Sequence, residues 1–260
     1  MKCETVRLTE RRDLRNDYFS FTFAPFSAAD KCRPGQFVHL KLPVGEVYFR
    51  RAFSVASVDT AKAELELIVK VVGRGTRILA ALRRGDSTNL LGPLGQPFKP
   101  PRKRERVVLV AGGIGFPPLL FLAQKLITRG HDPKHITFFY GGRSRSDIIE
   151  RNRIRKLGVN LRIVTEDGTL GEQGLVTDPV KVALQDHGDN CRLFACGPEG
   201  MLKAVNELGL TLNVPGQLSL EAPMPCGIGV CLGCVVPLTA GGYARVCCDG
   251  PVFEIGEVAL

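Results

Sequence analysis

The feature that most constrains the fold of this chain is that its hydrophobic pattern changes character twice. Residues 1–98 carry short alternating runs, among them QFVHLKL, RAFSVAS and ELELIVKVV, separated by glycine and proline. Apolar residues at every second position place one face of a strand inward, and several short strands with tight turns suit a small antiparallel barrel. From residue 106 the pattern becomes strand then helix, repeated: RVVLVA before GFPPLLFLAQKLITRG, HITFFYGG before RSDIIERNRIRKLG, NLRIVTED, PVKVALQDH, NCRLFACG before PEGMLKAVNELG. Alternating strands and helices imply a parallel, doubly wound α/β sheet. After Gly209 the helical pattern stops. A β-barrel domain over 1–98, an α/β domain over 106–212 and a small segment over 213–260 are therefore expected. A chain of 260 residues has room for this division.

The last segment holds CGIGVCLGCVV and, further on, RVCCDGPVF. Taking Cys247 as the fourth member, Cys226, Cys231, Cys234 and Cys247 form a C-x4-C-x2-C-x12-C set. A structural zinc site usually has two close pairs of ligands, and here only Cys231 and Cys234 are so spaced. The set instead has the plant-type spacing of a [2Fe-2S] cluster. Gly227, Gly229 and Gly233 can take positive φ at little cost, turning backbone N–H groups toward the sulfurs. Zinc and disulfides are the alternative readings of these cysteines.

Composition excludes other classes. The net charge of +9 is scattered except for KPPRKRER, which carries two prolines and reads as a solvated linker, so no nucleic-acid partner is expected. The apolar run VVLVAGGIGFPPLLFLA is interrupted by glycine and proline before it could span a bilayer, so no membrane is expected either. The first residues, MKCETVRLTERRD, show no signal-peptide core. Nine cysteines without a leader point to a reducing, cytoplasmic setting.

AGGIG, with Gly112, Gly113 and Gly115, follows a buried-type strand and opens an apolar helix, where backbone N–H groups can receive a pyrophosphate. It lacks the full G-x-G-x-x-G fingerprint. Cys196, Gly197 and Pro198 stand at the end of another parallel strand, the edge where open α/β sheets bind ligands.

The succession RAFS, GRGT, GGIG and ACGP resembles the ferredoxin–NADP reductase superfamily over about residues 4–208. With CGIGVCLGC and VCCDGPVF added, nearly the whole chain resembles the electron-transfer subunits of NAD-linked dihydroorotate dehydrogenases. The resemblance implies FAD held by Arg51, Ala52, Phe53 and Ser54. Arg51 would meet the pyrophosphate, and Ser54 would bond near the flavin's reactive nitrogen. Phe53 stands where tyrosine is commoner and can still stack on a ring. Gly75 and Thr76 match the second phosphate turn, and Ile68, Val69 and Lys70 match the strand lining the isoalloxazine. Cys196 corresponds to the family's cysteine near the nicotinamide, without serving as a nucleophile, and together with Ser54 makes up the catalytic pair. The frame V-C-x-D-G-P assigns the fourth cluster ligand to Cys247 and leaves Cys248 variable.

Between NAD and NADP, Arg143 and Arg145 could pair with a 2′-phosphate, whereas Glu166 and Asp167 would oppose one and accept from ribose hydroxyls; NAD is favoured. The implied function is electron transfer between NAD, FAD and the cluster, with dihydroorotate oxidised on an FMN-containing catalytic subunit in a hetero-oligomer. No set of residues here suggests an orotate site. Two other functions stay open: a reductase subunit serving ferredoxin or a sulfur substrate, and an iron–sulfur redox sensor.

Overall fold

The computed structural model describes residues 1–42, 47–102, 104–187 and 190–260. Six strands, β1 (Lys2–Asp13), β2 (Tyr18–Ala24), β3 (Phe37–Lys41), β4 (Arg51–Asp59), β5 (Glu64–Lys70) and β6 (Ser87–Leu94), close into a barrel in the order β1-β2-β5-β4-β3-β6. Closure leaves no unpaired edge. Alternation places Phe21, Phe23, Val38, Leu40, Val55 and Leu67 in its interior. A bulge between Val55 and Ser57 bends β4 away from β5. An α-helix, α1 (Arg74–Ala80), follows β5.

A second sheet has the order β10-β9-β8-β7-β11-β12-β15. Its strands are β7 (Arg106–Gly112), β8 (Ile136–Gly142), β9 (Asn160–Thr165), β10 (Glu172–Gln173), β11 (Cys191–Cys196), β12 (Gly216–Ser219) and β15 (Val252–Glu254). The helices α2 (Phe116–Thr128), α3 (Arg151–Arg155), α4 (Thr177–His187) and α5 (Glu199–Thr211) connect them. All pairings are parallel except β12 with β15. Both faces of β7 are covered, as its unbroken apolar run requires. The chain leaves β7 toward β8 on one side and returns to β11 on the other. The crevice beyond the ends of β7 and β11 is therefore the switch point of the sheet.

Two details differ from the periodicity. The stretch RSDIIERNRIRKLG reads as one helix, yet the structure makes a single 3-10 turn at Arg145–Asp147 and only the five residues of α3. Glu150 interrupts it at φ 51. In the basic linker Lys99 pairs with Glu254 at 2.9 Å, while Lys103 lies outside the described residues.

The C-terminal segment contributes β12 and β15 to this sheet and a separate hairpin, β13 (Val235–Pro237) with β14 (Tyr243–Arg245). Its cysteine loop packs on the outer face of the barrel, where Phe37 and Leu94 share one apolar cluster with Cys234, Val246 and Cys247. Among the described residues no helix is long and apolar enough to cross a membrane.

Candidate functional site

At the switch point the two glycine loops interlock. A methyl group on Gly112 would lie 2.6 Å from Pro198 and 2.8 Å from the Met201 sulfur, and one on Gly115 would overlap the backbone carbonyl of Cys196. Gly197 is closed in by the backbone of Gly112 at 2.9 Å. These three glycines let the β7 and β11 loops touch. Gly113, at φ 49, has open space where a side chain would stand. Beside it lies a cavity of about 620 Å3, lined by Gly113, Gly197, Pro198, Tyr18, Lys70 and Glu166 among others. Its size and its glycine floor suit a dinucleotide.

Cys196 is buried at the end of β11. Burial, helped by the charge of Glu221, pushes its thiol up to about 12, so it stays protonated and is no nucleophile at neutral pH. Glu221 is exposed to the cavity, but the protein atoms crowded around it push its carboxyl up. Sequence reasoning missed Glu221. The signal was its place two residues beyond Ser219, which pairs with Cys196 across β11 and β12.

The barrel presents the second site. Arg51, Ala52, Phe53 and Ser54 are four consecutive half-buried residues on β4, which packs on α2 at the nucleotide loop. The Arg51 guanidinium donates to the Phe49 carbonyl at 2.7 Å and passes so near Gly75 that a methyl there would lie 2.8 Å from Nε. Thr76 Oγ1 accepts from the Val72 and Gly73 amides at 2.9 and 3.1 Å, fixing the turn that brings Gly75 to Arg51. A guanidinium held over a glycine cradle suits a pyrophosphate. On β5, Ile68 faces the nucleotide domain, but Val69 joins the barrel interior and can offer only its backbone.

Lys70 reaches the other domain. Its Nζ is 2.8 Å from Asp147 Oδ1, and Tyr18 donates to the same carboxylate at 3.3 Å. Burial opposes charge on both partners, yet the pairing holds the Lys70 ammonium above and the Asp147 carboxyl below their ordinary values. Asp147 and Tyr18 have no local motif. Their partners lie 77 and 129 positions away.

On the adenosine side Glu166 lines the cavity. Asp167 is engaged by the Thr169 amide and hydroxyl at 3.0 and 2.7 Å, and Arg145 donates to the Thr169 carbonyl. Of the four charged residues weighed for the ribose, Glu166 and Arg143 line the cavity.

The cysteine loop is the third site. Within it Cys226 interacts with Cys231, and Cys247 with both Cys234 and Cys248. Among the described residues no three His, Cys, Asp or Glu groups are arranged to hold a single metal ion. Burial opposes ionisation of Cys226, but the amides of Ile228, Cys231 and Val230 bond its sulfur and bring it down to about 6. The Gly233 amide donates to Cys231 Sγ at 3.4 Å and the Cys247 amide to Cys234 Sγ at 3.5 Å. Burial and the neighbouring Cys234 and Cys248 thiols push Cys247 up, a conflict that a bound cation removes. Gly227 and Gly229 take φ of 70 and 82, as expected, while the third left-handed position is Leu232 at φ 56, not Gly233. Arg245 clamps the loop by donating twice to Asp249 and once, at 3.2 Å, to the Gly229 carbonyl. Cys248 is half-buried, with its sulfur 3.7 Å from that of Cys247.

Three family models match in series. These are the oxidoreductase FAD-binding domain over 5–98, the oxidoreductase NAD-binding domain over 109–207, and the iron-sulfur cluster binding domain of dihydroorotate dehydrogenase B over 221–259. Among curated proteins, the electron transfer subunit of dihydroorotate dehydrogenase B (NAD(+)) of Shouchella clausii is 39% identical, with 100% of both chains covered. The corresponding subunit of Desulforamulus reducens is 35% identical over 91% of each chain. Among solved structures, an NADH-dependent reduced ferredoxin-NADP oxidoreductase superposes with a TM-score of 0.85 at 29% identity, covering 98% of this chain and 89% of that one.

Proposed function

Because this chain belongs to the family of electron-transfer subunits of NAD-linked dihydroorotate dehydrogenase, we infer that it carries electrons from an FMN-containing catalytic subunit, where dihydroorotate is oxidised, to NAD. It is an oxidoreductase subunit of pyrimidine biosynthesis that binds FAD, NAD and a [2Fe-2S] cluster. When bound, FAD exchanges a hydride with NAD and single electrons with the cluster.

One observation carries this reading: the three sites lie in series. The nucleotide crevice is lined by Tyr18 of β2 and Lys70 of β5, the helix that follows its glycine loop packs on β4, and the cysteine loop packs on β3 and β6 through Phe37 and Leu94. Within the loop, Cys234 and Cys247 are buried against the barrel whereas Cys231 is exposed. A group held by all four sulfurs therefore reaches from the interior to the surface. Around it Val230 and Leu232 are 72% and 60% exposed, with Ile228 and Val235 beside them, an apolar rim suited to a partner subunit.

The side chains then have separate tasks. Arg51 over Gly75 holds the FAD pyrophosphate. Ser54 bonds the flavin edge that faces the nicotinamide, and Phe53 offers a ring face. Ile68 and Lys70 line the isoalloxazine, with Lys70 kept in place by Asp147. Gly113, with the closely packed Gly112, Gly115, Gly197 and Pro198, receives the dinucleotide. Cys196, neutral and buried, shapes the nicotinamide pocket and keeps water from it. Cys226, Cys231, Cys234 and Cys247 ligate the cluster. The subunit works in the cytoplasm as part of a hetero-oligomer.

The test is reconstitution. The purified chain should reduce artificial acceptors with NADH and leave dihydroorotate untouched. Adding the FMN subunit should couple dihydroorotate oxidation to NAD reduction, and Cys231→Ser should break that coupling while stopped-flow reduction of FAD by NADH persists. Dihydroorotate oxidation by the lone chain would overturn this division of labour.

A further inference from the structure

One buried side chain between the second and third sites has no assigned task. His39 lies on β3 directly opposite Ala52 of the FAD strand, and its residue has no exposed surface. Neither Nδ1 nor Nε2 has a hydrogen-bond partner. Its neighbours offer none: the Phe37 ring lies 5.6 Å away, and Arg50 donates to the His39 backbone carbonyl, not to the ring. Burial, with the Arg50 charge adding, pushes the imidazole down to about 4, so the ring is neutral and carries one N–H and one lone pair. Buried polar atoms of this kind almost always have a partner.

The ring lies against the cysteine loop. The imidazole lies flat against Gly227, so close that a methyl there would be 2.5 Å from Cε1 and 2.8 Å from each ring nitrogen. Gly227 takes φ 70 and directly follows Cys226. No side chain could stand between the ring and the loop. Ala52 of the FAD motif, the cross-strand partner of His39, shares this face of the barrel wall.

We propose that His39 is a positioning residue for the iron–sulfur cluster, donating its ring N–H to a cluster sulfur beside Gly227 and so joining the FAD-binding wall of the barrel to the cluster. The proposal rests on the cluster assignment above. Hydrogen bonds to the sulfurs are one of the factors that set the potential of such clusters. A donor stabilises the more negative, reduced state, so His39 would raise the potential and favour electron flow onto the cluster.

The experiment uses the full holo-chain, with iron and acid-labile sulfide measured first. A wild-type chain lacking both would overturn the cluster reading itself, and the proposal with it. With the cluster present, the dithionite-reduced protein is prepared with 15N-histidine and examined by pulsed EPR. A weak 15N coupling, lost in His39→Gln at unchanged iron content, and an exchangeable proton coupling, lost in His39→Leu, are expected. In redox titrations His39→Leu should lower the cluster midpoint potential, and His39→Gln, which keeps an N–H donor, should recover part of the difference. If His39→Leu does not fold, the labelled wild type and His39→Gln still decide the matter. Absence of any histidine coupling, an unchanged potential in the variants, or a coupling strong enough for direct ligation to iron would each refute it.

Discussion

Among the ion pairs that tie the barrel to the nucleotide domain is the buried pair of Glu66 and Arg153, and its removal should be costly in a pH-dependent way. Arg153 of α3 donates to both oxygens of Glu66 on β5, at 2.9 and 2.7 Å. Ser20 and Ser57 donate to the same carboxylate at 2.7 Å each. The two charged side chains are only 25% and 10% exposed. Burial alone pushes the Glu66 carboxyl up, and Arg153 with the two serines more than reverses this, taking it from 4.5 down to about 2. At about 1.4 kcal/mol per pH unit, the difference corresponds to about 3 kcal/mol of stability. Because the folded-state value is depressed, this stability is complete above pH 4.5 and is lost as pH falls toward 2.

Arg153→Met, which leaves Glu66 only the single contact from Arg12 at 3.1 Å and the two serines, should therefore destabilise the protein by up to about 3 kcal/mol at pH 7. The melting temperature should fall by about 6–10 °C. The penalty should shrink steadily between pH 4.5 and 3, as the carboxyl left without Arg153 becomes protonated. Thermal unfolding of wild type and variant across this pH range, at fixed FAD occupancy, measures it. Stopped-flow reduction of bound FAD by NADH supplies a second readout, since a nucleotide domain shifted by about 1 Å can slow transfer about 100-fold. A penalty below about 0.5 kcal/mol, or one that is the same at pH 3 and pH 7, would refute the reasoning.

Three further outcomes are expected. Cys247→Ser should abolish the cluster while Cys248→Ser retains it, as read by iron and acid-labile sulfide per chain; the reverse result would exchange their roles. Glu166→Ser should narrow the preference for NADH over NADPH in kcat/KM by about tenfold, by removing a carboxylate that repels a 2′-phosphate; an unchanged ratio would place the discrimination elsewhere. Val230→Glu combined with Leu232→Glu should weaken binding to the catalytic subunit by about 2 kcal/mol or more while NADH-driven reduction of a small acceptor is unchanged; full affinity in a titration of one subunit with the other would show that the rim is not the interface.

The parts of this molecule that could be read from its sequence are those whose physics is local. YFSFTFA announces a barrel strand because inward and outward neighbours alternate within seven residues. RVVLVAG announces a central parallel strand because both faces must be covered. The iron-sulfur segment could be read for the same reason, since three of its cysteines lie within nine residues and the amides that bond Cys226 come from the same loop. What could not be read depends on partners far apart in the chain. Lys70 needs Asp147, Glu66 needs Arg153, and Glu221 gains its meaning from Cys196. Local pattern even misled at α3, where RSDIIERNRIRKLG has helical spacing but Glu150 is turned to φ 51 and completes its bonds toward Arg12 and Arg153. Glycine shows both cases in one residue type. Gly227 is legible as a turn inside a cysteine loop, yet only the fold shows that its missing side chain admits the ring of His39, nearly two hundred positions earlier. A ligand set is thus written in a motif, while the environment that tunes it is written across domains. The side chains that set potential and geometry here are accordingly the ones that no spacing in the sequence marks.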